Sequence, residues 1–172
     1  MDQPTTPETR QGDPSSTPAL DALAGRGIPF AVVRTQRAHS AQESADLQGI
    51  ALGSLLRTIV VRRGADDYVF VLVPGGRRFD WPKLRAHLGV SRLSLPDADE
   101  ALAVTGYPRG AITPFGATRP WPVIADASIA GAPRVAIGGG AHGVNVHLAA
   151  DDLVRLLDAA VVDVTVPEAP AP

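Results

Sequence analysis

The sequence predicts an α+β domain: a single domain with a mixed, largely antiparallel, curled sheet and short helices at its periphery. Three observations carry this. Strand-like runs come in pairs, as in LLRTIVVRR followed at once by DYVFVLVP. Helical segments are short and fall between them irregularly, without the regular strand-helix alternation of a doubly wound fold. Finally, 45% hydrophobic and 20% charged residues in 172 match one globular core of ordinary size.

The elements follow in chain order. Residues 1–16 and 167–172 are rich in Pro, Thr and Ser with little to bury, so we expect disordered tails around a domain over 17–166. Thr17 and Pro18 open a helix as N-cap and first-turn residue, with Leu20, Leu23 and Ala24 on its apolar face until Gly25 and Gly27. Ile28–Val33 reads as a strand. Ser40 and Glu43 form a capping box for SAQESADLQG, whose Ala41, Ala45 and Leu47 are assigned to the core. The two long strands then pair antiparallel about a GADD turn. Asp80 caps WPKLRAHLG, with Trp81, Leu84 and Leu88 on one stripe, and Asp97 with Glu100 caps a helix through Val104. PVIAD, RVAIG, GVNVHL and AVVDVTV complete the strands, with the helix AADDLVRLLDA between the last two.

Composition narrows the chemistry. With no cysteine there is no disulfide, thiolate metal site or cysteine nucleophile. The chain opens without a basic-plus-apolar leader and holds no apolar run long enough to span a bilayer, so we expect a cytoplasmic protein with no membrane partner. The net charge of −2 conceals an asymmetry: residues 57–92 hold eight basic and three acidic side chains, whereas 93–167 hold four and eight. The basic segment, with Arg62, Arg63, Arg77 and Arg78, suits a phosphate backbone, although solvated charge on strand edges explains the same letters.

Motifs were weighed against context. GGGAHG satisfies the spacing of a dinucleotide fingerprint, but VNVHL follows it as a strand where that motif needs a helix. A glycine turn between two strands is the better reading; its amides can still hold an anion or a ribose. The histidines His39, His87, His142 and His147 lack the spacing of a metal site, so no metal and no cofactor is expected. Asn145 and His147 alternate against Val144, Val146 and Leu148, which predicts that both face away from the core. TGYPRGAITPFG, Thr105 to Gly116, has three glycines and two prolines in twelve residues and must be a shaped loop.

Taken together, HSAQESADLQG, LLRTIVV, TGYPRGAITPFG and AIGGGAHGVNVHLAADDLVRLLDA resemble, in that order, the conserved segments of the YbaK/ProRS-associated domain family of aminoacyl-tRNA editing domains, over about residues 17–160. The resemblance implies a trans-editing deacylase that hydrolyses the ester of mischarged tRNA. Its Gly-x-x-x-Pro loop, here Gly110, Ala111, Ile112, Thr113 and Pro114, would line the pocket for the amino acid and the terminal adenosine. We assign Arg57, Gly110, Ala111 and Ile112 to catalysis, the three loop amides as oxyanion donors. His39, Thr113, Pro114, Gly138, Gly139, Gly140, His142 and Asn145 are assigned to substrate, and the four arginines of the basic segment to the acceptor stem. The partners implied are the acceptor end of aminoacyl-tRNA and an aminoacyl-tRNA synthetase, with no DNA.

Two departures stand out. Active members of the family usually carry lysine at the position of Arg57, and arginine cannot give up its proton to serve as a base. Some relatives carry aspartate where this chain has Asn145. The alternative is therefore a non-catalytic tRNA- or synthetase-binding module of the same fold, degenerate at Arg57.

Overall fold

The computed structural model describes residues 15–169, so most of both expected tails lies outside the described residues. Among the described residues nine strands form three sheets, accompanied by five α-helices. The first has the order β1 (Ala31–Arg34), β7 (Val144–Leu148), β6 (Val135–Gly138), antiparallel throughout. The second has the order β2 (Leu56–Gly64), β3 (Asp67–Pro74), β5 (Val123–Asp126), β8 (Ala160–Val162). Here β2 pairs antiparallel with β3, while β5 and β8 continue in parallel. A two-stranded ribbon of β4 (Arg77–Phe79) and β9 (Thr165–Pro167) is the third. The α+β class is as expected; the one sheet is realised as three, and a bridge from Leu55 to Ala136 joins the first two.

β3 explains the layering. Its residues from Tyr68 to Pro74 are all buried, because the strand is covered on both faces. On one face Val61, Val69, Val71 and Val73 pack with Leu84 of α3 (Trp81–Leu88). On the other, Leu56, Val60, Phe70 and Leu72 meet the first sheet and residues of α1 (Pro18–Leu23), α4 (Ala98–Thr105) and α5 (Ala150–Leu157). The caps read from sequence are all in place: Thr17, Ser40, Asp80 and Asp97 each accept a backbone N–H of the helix that follows. Among the described residues no helix is long and apolar enough to cross a membrane.

Several expectations are corrected. β1 starts at Ala31 and not at Ile28, since Pro29 has no N–H to give a ladder. AVVDVTV is two strands, because Val164 turns its amide to the Asp126 carboxylate and its carbonyl to Asp80, carrying the chain from one sheet to another. β9 runs through Pro167 and Glu168 donates its amide to Gly76, so ordered chain continues past the expected boundary at 166. In α2 (Ala41–Gln48), Leu47 is exposed and Gln48 is buried.

That exchange has a cause. His147 is 7% exposed, against the expectation that it faces away from the core, and its Nε2 lies 2.8 Å from the Gln48 Oε1. The Gln48 amide in turn donates to Ser44 at 2.9 Å. Helix α2 therefore covers the face of β7 that alternation had left to solvent, and polar side chains make the contact. Burial, helped by the charge of Arg134, holds the His147 pKa below its ordinary 6.5. The folded state resists a proton that the unfolded chain accepts, so this stability is complete above pH 6.5 and is lost as pH falls through the folded pKa. We predict that stability in denaturant unfolding falls as the pH is lowered below 6.5, and that His147→Gln flattens the profile there.

Candidate functional site

A cleft of about 410 Å³ opens where the first two sheets meet. Its walls come from four segments: residues 35–41 with Ser44, the start of β2 at 55–58, Gly110 with Ile112, and the β6–β7 hairpin at Gly138 and 141–145. Local chemistry fixes each one. Ser40 accepts the Glu43 amide at 3.0 Å while Glu43 accepts the His39 amide at 2.9 Å, a reciprocal capping box that seats His39 in the wall. The segment is tied to the hairpin by the Thr35 amide, 2.8 Å from the Gly143 carbonyl. Only glycine fits at 143, because a Cβ there would lie 2.3 Å from the Thr35 oxygen.

The loop from Thr105 to Gly116 satisfies much of its own polarity. Thr105 Oγ1 donates to the Ala101 carbonyl and accepts the Tyr107 amide. Tyr107 donates its hydroxyl to the Phe115 carbonyl at 2.8 Å, and burial pushes its pKa up to about 12, so it stays a donor. Buried Thr113 accepts the Phe115 amide. Gly110 adopts φ +90°, and a Cβ on it would stand 3.0 Å from the His142 ring. Ring and glycine thus pack together into one wall.

These bonds sort the expected oxyanion donors. The Ala111 amide is spent on the Pro108 carbonyl at 3.0 Å, and its buried side chain is outside the cleft lining. Gly110 and Ile112 line the cleft and donate their amides to no protein acceptor among the described residues. The loop therefore offers two donors where three were expected.

Arg57 also lines the cleft. One of its terminal nitrogens, Nη2, donates to the Arg77 carbonyl and lies 3.6 Å from the Glu168 carboxylate. Its Nε is buried without an acceptor. The Thr58 hydroxyl, in the same wall, is buried and unpartnered as well. A buried polar group left without a partner costs about 1–3 kcal/mol, so these two atoms weaken the start of β2 unless a rearrangement on binding supplies them with partners.

The other assigned residues divide. His39, Gly138, His142 and Asn145 line the cleft, Asn145 with its amide on the Val33 carbonyl at 3.3 Å. Gly139, Gly140 and Thr113 do not. Gly139 takes part in the hairpin, accepting the Thr17 hydroxyl, and Gly140 packs against Tyr107 and Ala19. Pro114 lines a separate cavity of about 830 Å³ beside Trp121.

The acceptor-stem arginines are mostly engaged. Arg62 grips Glu100 at 3.0 and 3.1 Å, Arg63 grips Asp67 at 2.9 Å through both nitrogens, and Arg77 donates to Thr165 at 2.6 Å. Arg78 is exposed, and none of the four lines the cleft. Arg37 does, at an exposed position that sequence reading missed although the spaced basic run Arg34, Arg37, His39 announces it. Thr58 was missed too; a hydroxyl between Leu56 and Val60 on a core-facing register was its signal. Among the described residues no three histidine or acidic side chains cluster to hold a metal.

Residues 35–156 match the family model for the aminoacyl-tRNA editing domain. A proline–tRNA ligase of Thermosipho africanus is 30% identical over 122 residues, which are 69% of this chain and 21% of the ligase, so the chain spans about a fifth of that relative. A protein of Enterococcus faecalis named for deacylation of Cys-tRNA(Pro) and Cys-tRNA(Cys) is 24% identical over 129 residues, 75% of this chain and 79% of that protein. A solved structure assigned as a candidate trans-editing enzyme for prolyl-tRNA synthetase superimposes with a TM-score of 0.80 at 28% identity, covering 91% of this chain and 99% of its own.

The packing of His142 on Gly110 generates a prediction. Gly110→Ala must adopt a strained φ and displace the ring, so it should lower stability by about 1–3 kcal/mol in denaturant unfolding and shift the His142 ring resonances in NMR. An unchanged His142 signal contradicts the packing.

Proposed function

Because the chain belongs to the aminoacyl-tRNA editing domain family, we propose that it is a trans-editing deacylase acting on mischarged tRNA. One observation carries the reading: Gly110 and Ile112, whose amides have no protein acceptor among the described residues, line a single cleft together with the cationic Arg57. Such a set suits an acyl oxygen that turns into an oxyanion.

The aminoacyl ester sits with its carbonyl oxygen toward these donors. A water attacks the carbonyl carbon and loses a proton, the tetrahedral oxyanion is stabilised, the ester C–O bond breaks, and the terminal ribose hydroxyl leaves with a proton beside the free amino acid. No nucleophilic side chain is required, since the ester is already activated and the gain comes from alignment and charge stabilisation. Arg57 serves as a cationic donor and never as a base. His39, His142 and Asn145 flank the ribose and adenine, and Arg37 faces the terminal phosphate at the rim. The confined cleft favours a small amino acid, with size exclusion of larger side chains as the filter. A synthetase that releases the mischarged tRNA is the natural second partner.

The test is a deacylation panel beginning with Ala, Ser and Cys on tRNA. We predict hydrolysis of at least one by the wild type, with Arg57→Ala slower by about 10²- to 10³-fold, as for loss of one oxyanion donor. A wild type inactive on every member, with activity appearing in Arg57→Lys, contradicts the enzyme reading and selects the non-catalytic tRNA-binding module.

A further inference from the structure

Arg57 is held from outside the cleft. Its Nη2 meets two oxygens, the Arg77 carbonyl of β4 and the Glu168 carboxylate at 3.6 Å. Glu168 is itself anchored by its amide, 2.9 Å from the Gly76 carbonyl, directly after the β4–β9 ribbon. The ribbon is fixed in turn: Arg77 donates to Thr165 at 2.6 Å and lies 3.7 Å from buried Asp126, whose carboxylate also accepts the Val164 amide at 3.1 Å. A guanidinium is planar, so two contacts at one end set the direction of the N–H at the other. The end so directed carries the Nε, which is buried and without an acceptor. β9 and Glu168 lie beyond residues 35–156, outside the segment matched to the family.

We propose that Glu168, directly after strand β9, is the positioning residue for Arg57: it holds the guanidinium in place at the wall of the cleft that Arg57 lines. The functional half of this rests on the deacylase reading. Glu168 touches no substrate and acts through Arg57. As a stabiliser the pair counts for little, with Arg57 and Glu168 side chains 38% and 48% exposed, and pairs of that kind are mostly screened. Its value lies in orientation. With the carboxylate gone, the Arg77 carbonyl is the one charged or backbone contact left on Nη2 among the described residues, and the guanidinium can rotate out of its place.

The experiment uses the full chain with ¹⁵N-labelled arginine, comparing wild type, Glu168→Gln, Arg57→Lys and Glu168→Gln/Arg57→Lys. The Arg57 Nε–H resonance, assigned by its absence from Arg57→Lys, reports the guanidinium directly. By ¹⁵N relaxation of that signal we expect a rigid Nε–H in the wild type and motional averaging in Glu168→Gln, with a melting temperature unchanged within about 2 °C. On the aminoacyl-tRNA that the wild type hydrolyses, Glu168→Gln should lower kcat roughly tenfold at constant KM, the signature of lost alignment. In the Arg57→Lys background the same substitution should have no further effect.

An Arg57 resonance equally mobile in wild type and Glu168→Gln overturns the proposal, whatever the activities. Averaging with undiminished kcat overturns its functional half and leaves the deacylase reading intact. Averaging in Glu168→Gln alone, beside a restrained wild type that hydrolyses nothing, supports the positioning contact and refutes the deacylase reading instead.

Discussion

The account depends on one constraint, the way the loop from Thr105 to Gly116 consumes its own hydrogen-bonding capacity. Tyr107 on Phe115, Thr105 on Ala101 and Ala111 on Pro108 turn a glycine- and proline-rich stretch into a fixed object. Proline restricts the unfolded chain and the buried Tyr107 hydroxyl pins the two ends, so little ordering remains when a ligand arrives. What the loop leaves unsatisfied then carries meaning. Gly110 and Ile112 keep free amides because their neighbour's amide is spent, and glycine is needed at 110 because the His142 ring occupies the space of a side chain.

The meeting of the sheets supplies the rest. The Leu55–Ala136 bridge brings the first residues of β2 beside the β6–β7 hairpin, and so Arg57 and Thr58 beside His142 and Asn145. Polar side chains finish the frame. The chain from His147 through Gln48 to Ser44 fastens helix α2, whose capping box seats His39, onto the strand that carries Asn145. Arg57 and the Gly110 and Ile112 amides, from segments far apart in sequence, thus line one cleft.

Much of this was legible in the residues. Helix caps, the long hairpin, the glycine turn between β6 and β7 and the special character of the loop follow from local rules, and local rules hold because their partners lie three or four residues away. Failures came where distant segments decide. Alternation placed His147 outside and Leu47 inside, since nothing in either segment announces that Gln48 will reach across to His147. The arginines of residues 57–92 read as a surface for phosphate, yet Glu100, Asp67 and Thr165 engage three of them, two from far along the chain. The availability of an amide is set more locally: Ala111 sits in the same motif as Gly110 and Ile112, and a turn ties its amide to Pro108 three residues back.

The most direct measurement follows backbone amides by NMR while the protein is titrated with an adenosine analogue whose 3′ ester to a small amino acid is replaced by an unhydrolysable amide. The account predicts that the Gly110 and Ile112 amides and the Arg57 Nε–H shift together on saturation, while the Ala111 amide, already paired, moves little. Saturable binding that leaves Gly110 and Ile112 unperturbed, or that perturbs only the cavity around Pro114 and Trp121, would contradict it.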